Sequence, residues 1–108
     1  MEKGQICFFD LPTGQGHEQN GRRPGIVYGC EVGGTIVMIP LTTNLDRTRF
    51  PFTELIAANP TSGLKHQSVA LVFQIRAVSV SRIRNLIGCI ATEEMERIDG
   101  QVSGLLSL

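Results

Sequence analysis

Apolar residues fall along this chain in short runs separated by glycine-, proline- or charge-rich breaks. Only near the end does their period change from that of a strand to that of a helix. Residues 5–10, Gln-Ile-Cys-Phe-Phe-Asp, predict a first strand. Residues 11–23 are polar and read as a long loop. A second strand is expected over 24–32 and a third over 35–41, with Gly33-Gly34 between them as a two-residue hairpin signal. Residues 42–49 predict a polar loop. A fourth strand follows over 50–56, where Pro51 requires an edge or a strand start. Asn59-Pro60-Thr61-Ser62-Gly63 is a turn cluster. The run over 68–74 predicts a strand that 75–80 continues. Residues 81–86 predict a short helical turn, because Ser81 can cap and Ile83 and Leu86 lie three apart, and 87–91 is a further brief apolar run.

The terminal segment has a different logic. Thr92 is placed to accept from the first free amides of a helix. Glu93 and Glu94 then occupy the first turn, where the helix dipole favours negative charge. Met95, Ile98, Val102, Leu105 and Leu106 follow on one helical face. Gly100 and Gly104 weaken such a helix by about 1 kcal/mol each relative to alanine and leave room for close packing on a sheet. Short strands followed by one helix predict a mainly β fold with α: a small, strongly bent antiparallel sheet or barrel plus a C-terminal helix, one domain over 1–108.

Composition narrows the function. With 108 residues, 42% of them hydrophobic, the chain has enough apolar surface for a compact core and reads as ordered. Ten basic and ten acidic residues give zero formal charge, which argues against non-specific coating of nucleic acid. A local basic cleft stays open, because Arg22, Arg23, Arg47, Arg49, Arg76, Arg82 and Arg84 precede the acidic group Glu93, Glu94, Glu96 and Asp99. Cys7, Cys30 and Cys89 are far apart and show no Cys-x-x-Cys or Cys/His spacing, so neither zinc nor a disulfide framework is expected. Each lies in an apolar run and is predicted to be a buried free thiol, which fits a reducing cytoplasm. The start of the chain does not read as a signal peptide and no run reaches membrane-spanning length. Cytoplasmic localisation, no membrane association, no metal and no cofactor are the expectations.

The chemistry concentrates in Gly16-His17-Glu18-Gln19-Asn20-Gly21-Arg22-Arg23-Pro24. One loop between apolar runs carries a carboxylate, an imidazole, amides and two guanidinium groups. Arginine's planar fork suits phosphate oxygens, and the following proline biases Arg23 towards an extended backbone. The competing reading is a solvated loop in which Arg23 pairs with Glu18 or Asp10. Thr42 lies where the third strand ends, so its hydroxyl can face a cleft or satisfy its own loop backbone.

These segments, in order, resemble the MazF/PemK family of toxin endoribonucleases. Gly16-His17-Glu18-Gln19 and Gly21-Arg22-Arg23-Pro24 are similar to the family's G-x-E-Q-x-G-x-R-P signature, and Pro40-Leu41-Thr42-Thr43-Asn44 to its P-[ILC]-T-[TS]-[NQ] segment. Phe50-Pro51-Phe52, Gly63-Leu64, Ser68-Val69 and Gln74-Ile75-Arg76 match further elements. The resemblance implies an SH3-like barrel of the plasmid-maintenance toxin type and a homodimer. It also implies metal-independent, sequence-specific cleavage of single-stranded RNA to a 2′,3′-cyclic phosphate and a 5′-hydroxyl. The implied partner is an antitoxin with an acidic, disordered C-terminal tail, and DNA is met only indirectly through that antitoxin.

By the same resemblance Arg23 stabilises charge on the phosphorus and Thr42 is catalytic. Glu18 is the candidate base, with His17 its rival on intrinsic pKa. Some relatives carry a second carboxylate where this chain has Phe73. His17, Gln19, Arg22, Thr43, Asn44, Gln74 and Arg76 complete the expected RNA-binding set. Phe50 and Phe52 are open to base stacking or to packing, and Arg47 and Arg49 to phosphate tracking. Two other readings compete: a toxin on the same barrel that binds a topoisomerase, and a non-catalytic interaction module.

Overall fold

The computed structural model of this chain describes residues 1–10 and 21–108. The strands are β1 (Gln5–Asp10), β2 (Arg22–Val27), β3 (Thr35–Thr42), β4 (Thr53–Ile56), β5 (Ser68–Leu71), β6 (Arg76–Ser79) and β7 (Ile83–Cys89). Helix α1 (Thr92–Leu106) ends the chain. All pairings are antiparallel, in the order β4-β5-β3-β2-β1-β7, and β6 also pairs with β3. The bent sheet and C-terminal helix match the expected class, although among the described residues the sheet stays open between β4 and β7.

β3 organises the sheet. Its first half, Thr35 to Met38, pairs with β6, and its last two residues, Leu41 and Thr42, pair with β5. Ile39 and Pro40 fall between these partners, so the proline sits where β3 changes neighbour. The change requires a corner in the chain between β5 and β6. A 3-10 turn over Val72–Gln74 supplies it and breaks the single strand expected over 68–80.

Alternation along the strands buries both faces of this sheet. Ile6, Ile26, Ile39 and Leu41 join Ile56, Val72, Ile98 and Val102 in the core beneath α1. Their chain neighbours Cys7, Val27 and Met38 join Phe9, Ile36 and Val78 in a second cluster inside the bend. The Gly33-Gly34 hairpin forms as expected. Val32 and Thr35 exchange backbone hydrogen bonds of 2.8 and 3.0 Å, and both glycines have positive φ, +59° and +79°.

Other expectations change as well, and β4 covers only Thr53–Ile56 of the 50–56 expected. β2 runs over Arg22–Val27 rather than 24–32: Arg22 and Arg23 pair with Asp10 and Phe9, while Val32 makes only an isolated bridge to Thr35. The helical turn expected over 81–86 shrinks to a 3-10 turn over Val80–Arg82, capped by Ser79 rather than Ser81, and β7 begins at Ile83 as an edge strand on β1. Thr92 is not the cap of α1. Ala91 holds that position, and the buried Glu94 carboxylate reaches back to accept its N–H at 2.9 Å. Cys7 alone is buried, and burial pushes its thiol pKa up; Cys30 and Cys89 are exposed.

Candidate active site

β2 and β3 deliver two chemically active side chains to one place. Arg22 and Arg23 are consecutive in β2, opposite Asp10 and Phe9, and leave on opposite faces. Arg22 turns to Asp10, with Nε donating to Oδ1 at 3.1 Å. Arg84 Nη2 lies 2.6 Å from Asp10 Oδ2, and Arg82 donates to the Asp10 carbonyl at 3.2 Å. The Arg22 hydrogen bond, followed by the charge of Arg84, holds the Asp10 carboxyl below the usual carboxylate range. Arg23, by contrast, lines a cleft of about 460 Å3 together with Thr42, Asn44, Arg47, Phe50, Leu71, Phe73 and Gln74.

Thr42 is the last residue of β3, half-buried, and its Oγ1 accepts the Asn44 N–H at 3.2 Å. Asn44 in turn caps a 3-10 turn over Leu45–Arg49, its Oδ1 accepting the Asp46 N–H at 3.1 Å. Its oxygen thus satisfies the loop backbone, and the residue also lines the cleft, with a hydroxyl proton left to donate. The Asn44 oxygen is likewise turned to backbone, which leaves its NH2 as the outward group. Two guanidinium groups, a hydroxyl and two side-chain amides line this cleft, with no carboxylate among the described lining residues. Such a surface suits an anion with hydrogen-bond acceptors.

An aromatic pair flanks these donors. The rings of Phe50 and Phe73 lie 5.7 Å apart between centroids at an interplanar angle of 44°. The Arg47 guanidinium carbon lies 5.7 Å from the Phe50 centroid. Phe73 had no place in the expected binding set; the resemblance marks it only as standing where some relatives carry a carboxylate. Its partial exposure follows from the 3-10 corner, which the run does not reveal.

Other expected residues lie elsewhere. Thr43 lines a neighbouring cleft of about 340 Å3 with Phe8, Pro24, Leu64, His66 and Ile87. Arg76 is exposed on β6, opposite Met38. Phe52 packs against the core beneath α1, where a Cβ at Gly104 would sit 3.3 Å from its ring. Glu18, His17 and Gln19 lie outside the described residues. Among the described residues no group of three or more His, Cys, Asp or Glu side chains could hold a metal, and no helix is long and apolar enough to cross a membrane.

Comparison with known proteins bears on this arrangement. The family described as "PemK-like, MazF-like toxin of type II toxin-antitoxin system" matches residues 2–106. The chain is 30% identical to Endoribonuclease MazF9 of Mycobacterium tuberculosis, over 92% of this chain and 90% of that protein. It is 28% identical to Endoribonuclease EndoA of Bacillus subtilis, over 100% of this chain and 96% of that one. Among solved structures, MazE-MazF from Deinococcus radiodurans superposes with a TM-score of 0.80 at 23% identity, over 100% of this chain and 96% of that one, a likeness of fold.

Proposed function

The chain belongs to the PemK-like, MazF-like toxin family of type II toxin–antitoxin systems, and from that premise we propose that it is the toxin of such a pair, an endoribonuclease cutting single-stranded RNA without a metal ion. The observation that supports this reading is that Arg23 and Thr42, from adjacent strands, line one cleft whose described walls carry donors and no carboxylate.

In the proposed reaction a ribose 2′-hydroxyl loses its proton and its oxygen bonds to the adjacent phosphorus. The bond to the 5′-oxygen breaks, and that oxygen takes up a proton. The products are a 2′,3′-cyclic phosphate and a 5′-hydroxyl. Arg23 answers the negative charge that grows on the non-bridging oxygens, and Thr42 donates a hydrogen bond from its hydroxyl to one of them. Glu18 is the proposed base; Phe73 stands where some relatives have a second carboxylate and cannot move a proton. Asn44 and Gln74 offer amides to the edges of unpaired bases, the usual route to reading RNA sequence. Arg76 and Thr43 are left with contacts to flanking nucleotides. The same donor-lined cleft suits the acidic tail of an antitoxin, and the proposed working form is a homodimer.

Incubating the purified chain with end-labelled single-stranded RNA, with and without EDTA, tests this. Cuts at a recurring short sequence that persist in EDTA and leave cyclic phosphate ends are expected. Intact RNA, or cutting abolished by EDTA, contradicts the proposal.

A further inference from the structure

We infer that Phe50 and Phe73 form a stacking site for one unpaired nucleobase beside the phosphate held by Arg23 and Thr42, an inference that rests on the nuclease reading above. Aromatic side chains make up only 6% of the chain, yet two of them share this polar, donor-lined cleft. Phe52, between them in sequence, shows what packing looks like here: it joins the core beneath α1. Phe50 instead remains 41% exposed. The two rings meet at 44° with centroids 5.7 Å apart, a tilted contact rather than a face-to-face stack.

The backbone under both rings is fixed. The Phe50 N–H donates to the Arg47 carbonyl at 3.0 Å, and the Thr53 hydroxyl donates to the Phe50 carbonyl at 3.0 Å. The Phe73 N–H donates to the Phe52 carbonyl at 3.2 Å, which ties the two aromatic segments together. A base entering such a site meets π-faces already in position, so little ordering cost falls on binding. Arg47, against the Phe50 ring, adds a cation to the stack. Gln74 follows Phe73 directly and lines the same cleft as Asn44, so the base that stacks is also the base whose edge is read. Phe73, unable to serve as a base for protons, thus serves as a platform for a nucleobase.

The probe is a single-stranded RNA spanning one mapped cleavage site, made with a 2′-deoxy nucleotide at the attacking position so that it binds uncut. Phe73→Ala is expected to weaken its binding about 5- to 150-fold, the range for loss of one base–aromatic stack. With the cleavable RNA the loss falls on KM rather than kcat. Phe73→Tyr, which keeps the ring, retains affinity, while Phe73→Leu, which fills the space without a π-face, does not. An abasic site walked along the probe supplies the second arm. At one position it weakens wild-type binding by a similar factor, and there Phe73→Ala adds nothing further. If Phe73→Ala binds like the wild type, or its loss persists with the abasic site at every position, the stacking site is refuted. That holds whether or not the variant has lost affinity for an antitoxin peptide. A wild-type chain that neither cuts nor binds RNA overturns the nuclease reading as well, whereas a cutting wild type with an indifferent Phe73→Ala overturns this inference alone.

Discussion

Replacing Glu94 with glutamine isolates the contact that locks the helix to the sheet. The Glu94 carboxylate is 8% exposed and accepts two backbone N–H groups at 2.9 Å each, Ala91 through Oε1 and Ala57 through Oε2. One side chain therefore caps α1 and pins it to the chain leaving β4. Glutamine preserves volume but keeps only one acceptor; its NH2 would confront the second N–H, donor against donor. A hydrogen bond to a charged group contributes about 1.5–3 kcal/mol, and the surviving neutral bond is worth roughly half that. Ala57 and Ala91 are themselves exposed, so water meets part of the deficit. The expected loss is about 2–3 kcal/mol, or ~10–15 °C in Tm for a domain of this size. Urea unfolding should show a lower midpoint at unchanged slope. At low temperature, where both proteins are folded, RNA cleavage by Glu94→Gln should match the wild type, because Glu94 touches nothing in the Arg23 cleft. Stability within about 0.5 kcal/mol of wild type would refute the double-acceptor argument.

Three further outcomes follow. Asp10 is held below its usual pKa chiefly by the Arg22 hydrogen bond. Its contribution to stability is therefore present above the unfolded carboxylate range and lost as pH falls through the lowered folded value; an NMR titration of its carboxyl carbon should shift upward in Arg22→Ala, and an unmoved midpoint counts against the pairing. Tyr28 is raised above its usual pKa by burial and by its hydrogen bond to Asp99. It is the chain's one tyrosine, so phenolate absorbance should stay absent through pH 10 and appear only as rising pH unfolds the protein, whereas an ordinary midpoint near 10 contradicts the contact. Thr42→Val should lower kcat by about a hundredfold or more while Thr42→Ser retains most of it, since only the hydroxyl donates to the phosphate; equal rates in the two variants would remove Thr42 from the mechanism.

Much of the fold was legible because period and turn chemistry carry it. β1 and the Gly33-Gly34 hairpin fall where alternation and paired glycines put them, and Ile98 and Val102 bury the face their spacing marks out. The errors share a cause. β2 begins with two arginines and β7 runs through Arg84, Asn85 and an exposed Leu86. Backbone pairing to β1 holds these stretches extended, and pairing leaves no trace in side-chain hydrophobicity. The 3-10 corner at Val72–Gln74 is hidden in a continuous apolar run for the same reason: the demand for it comes from β3 changing partners, a tertiary event.

The site divides along that line. Arg23, Thr42, Asn44 and Gln74 gather in one cleft, and each is a residue that the family resemblance marks out. The resemblance puts Phe73 at a site position, but its contact with Phe50 could not be read, because that depends on the corner over Val72–Gln74. Arg22, expected among the RNA-binding residues, is carried by strand alternation to Asp10, on the face away from Arg23. Glu18, His17 and Gln19, outside the described residues, remain proposals of the motif alone.

The central claim is that the Arg23 guanidinium stabilises the charge of a phosphate being cleaved. Single-turnover cleavage of a mapped RNA, in EDTA, by the wild type, Arg23→Lys and Arg23→Ala measures this directly. The account predicts a loss of about 10²–10³-fold or more in the cleavage rate for alanine, partial recovery for lysine as a point charge without the planar fork, and unchanged folding by circular dichroism. Cleavage by a folded Arg23→Ala chain at the wild-type rate contradicts it.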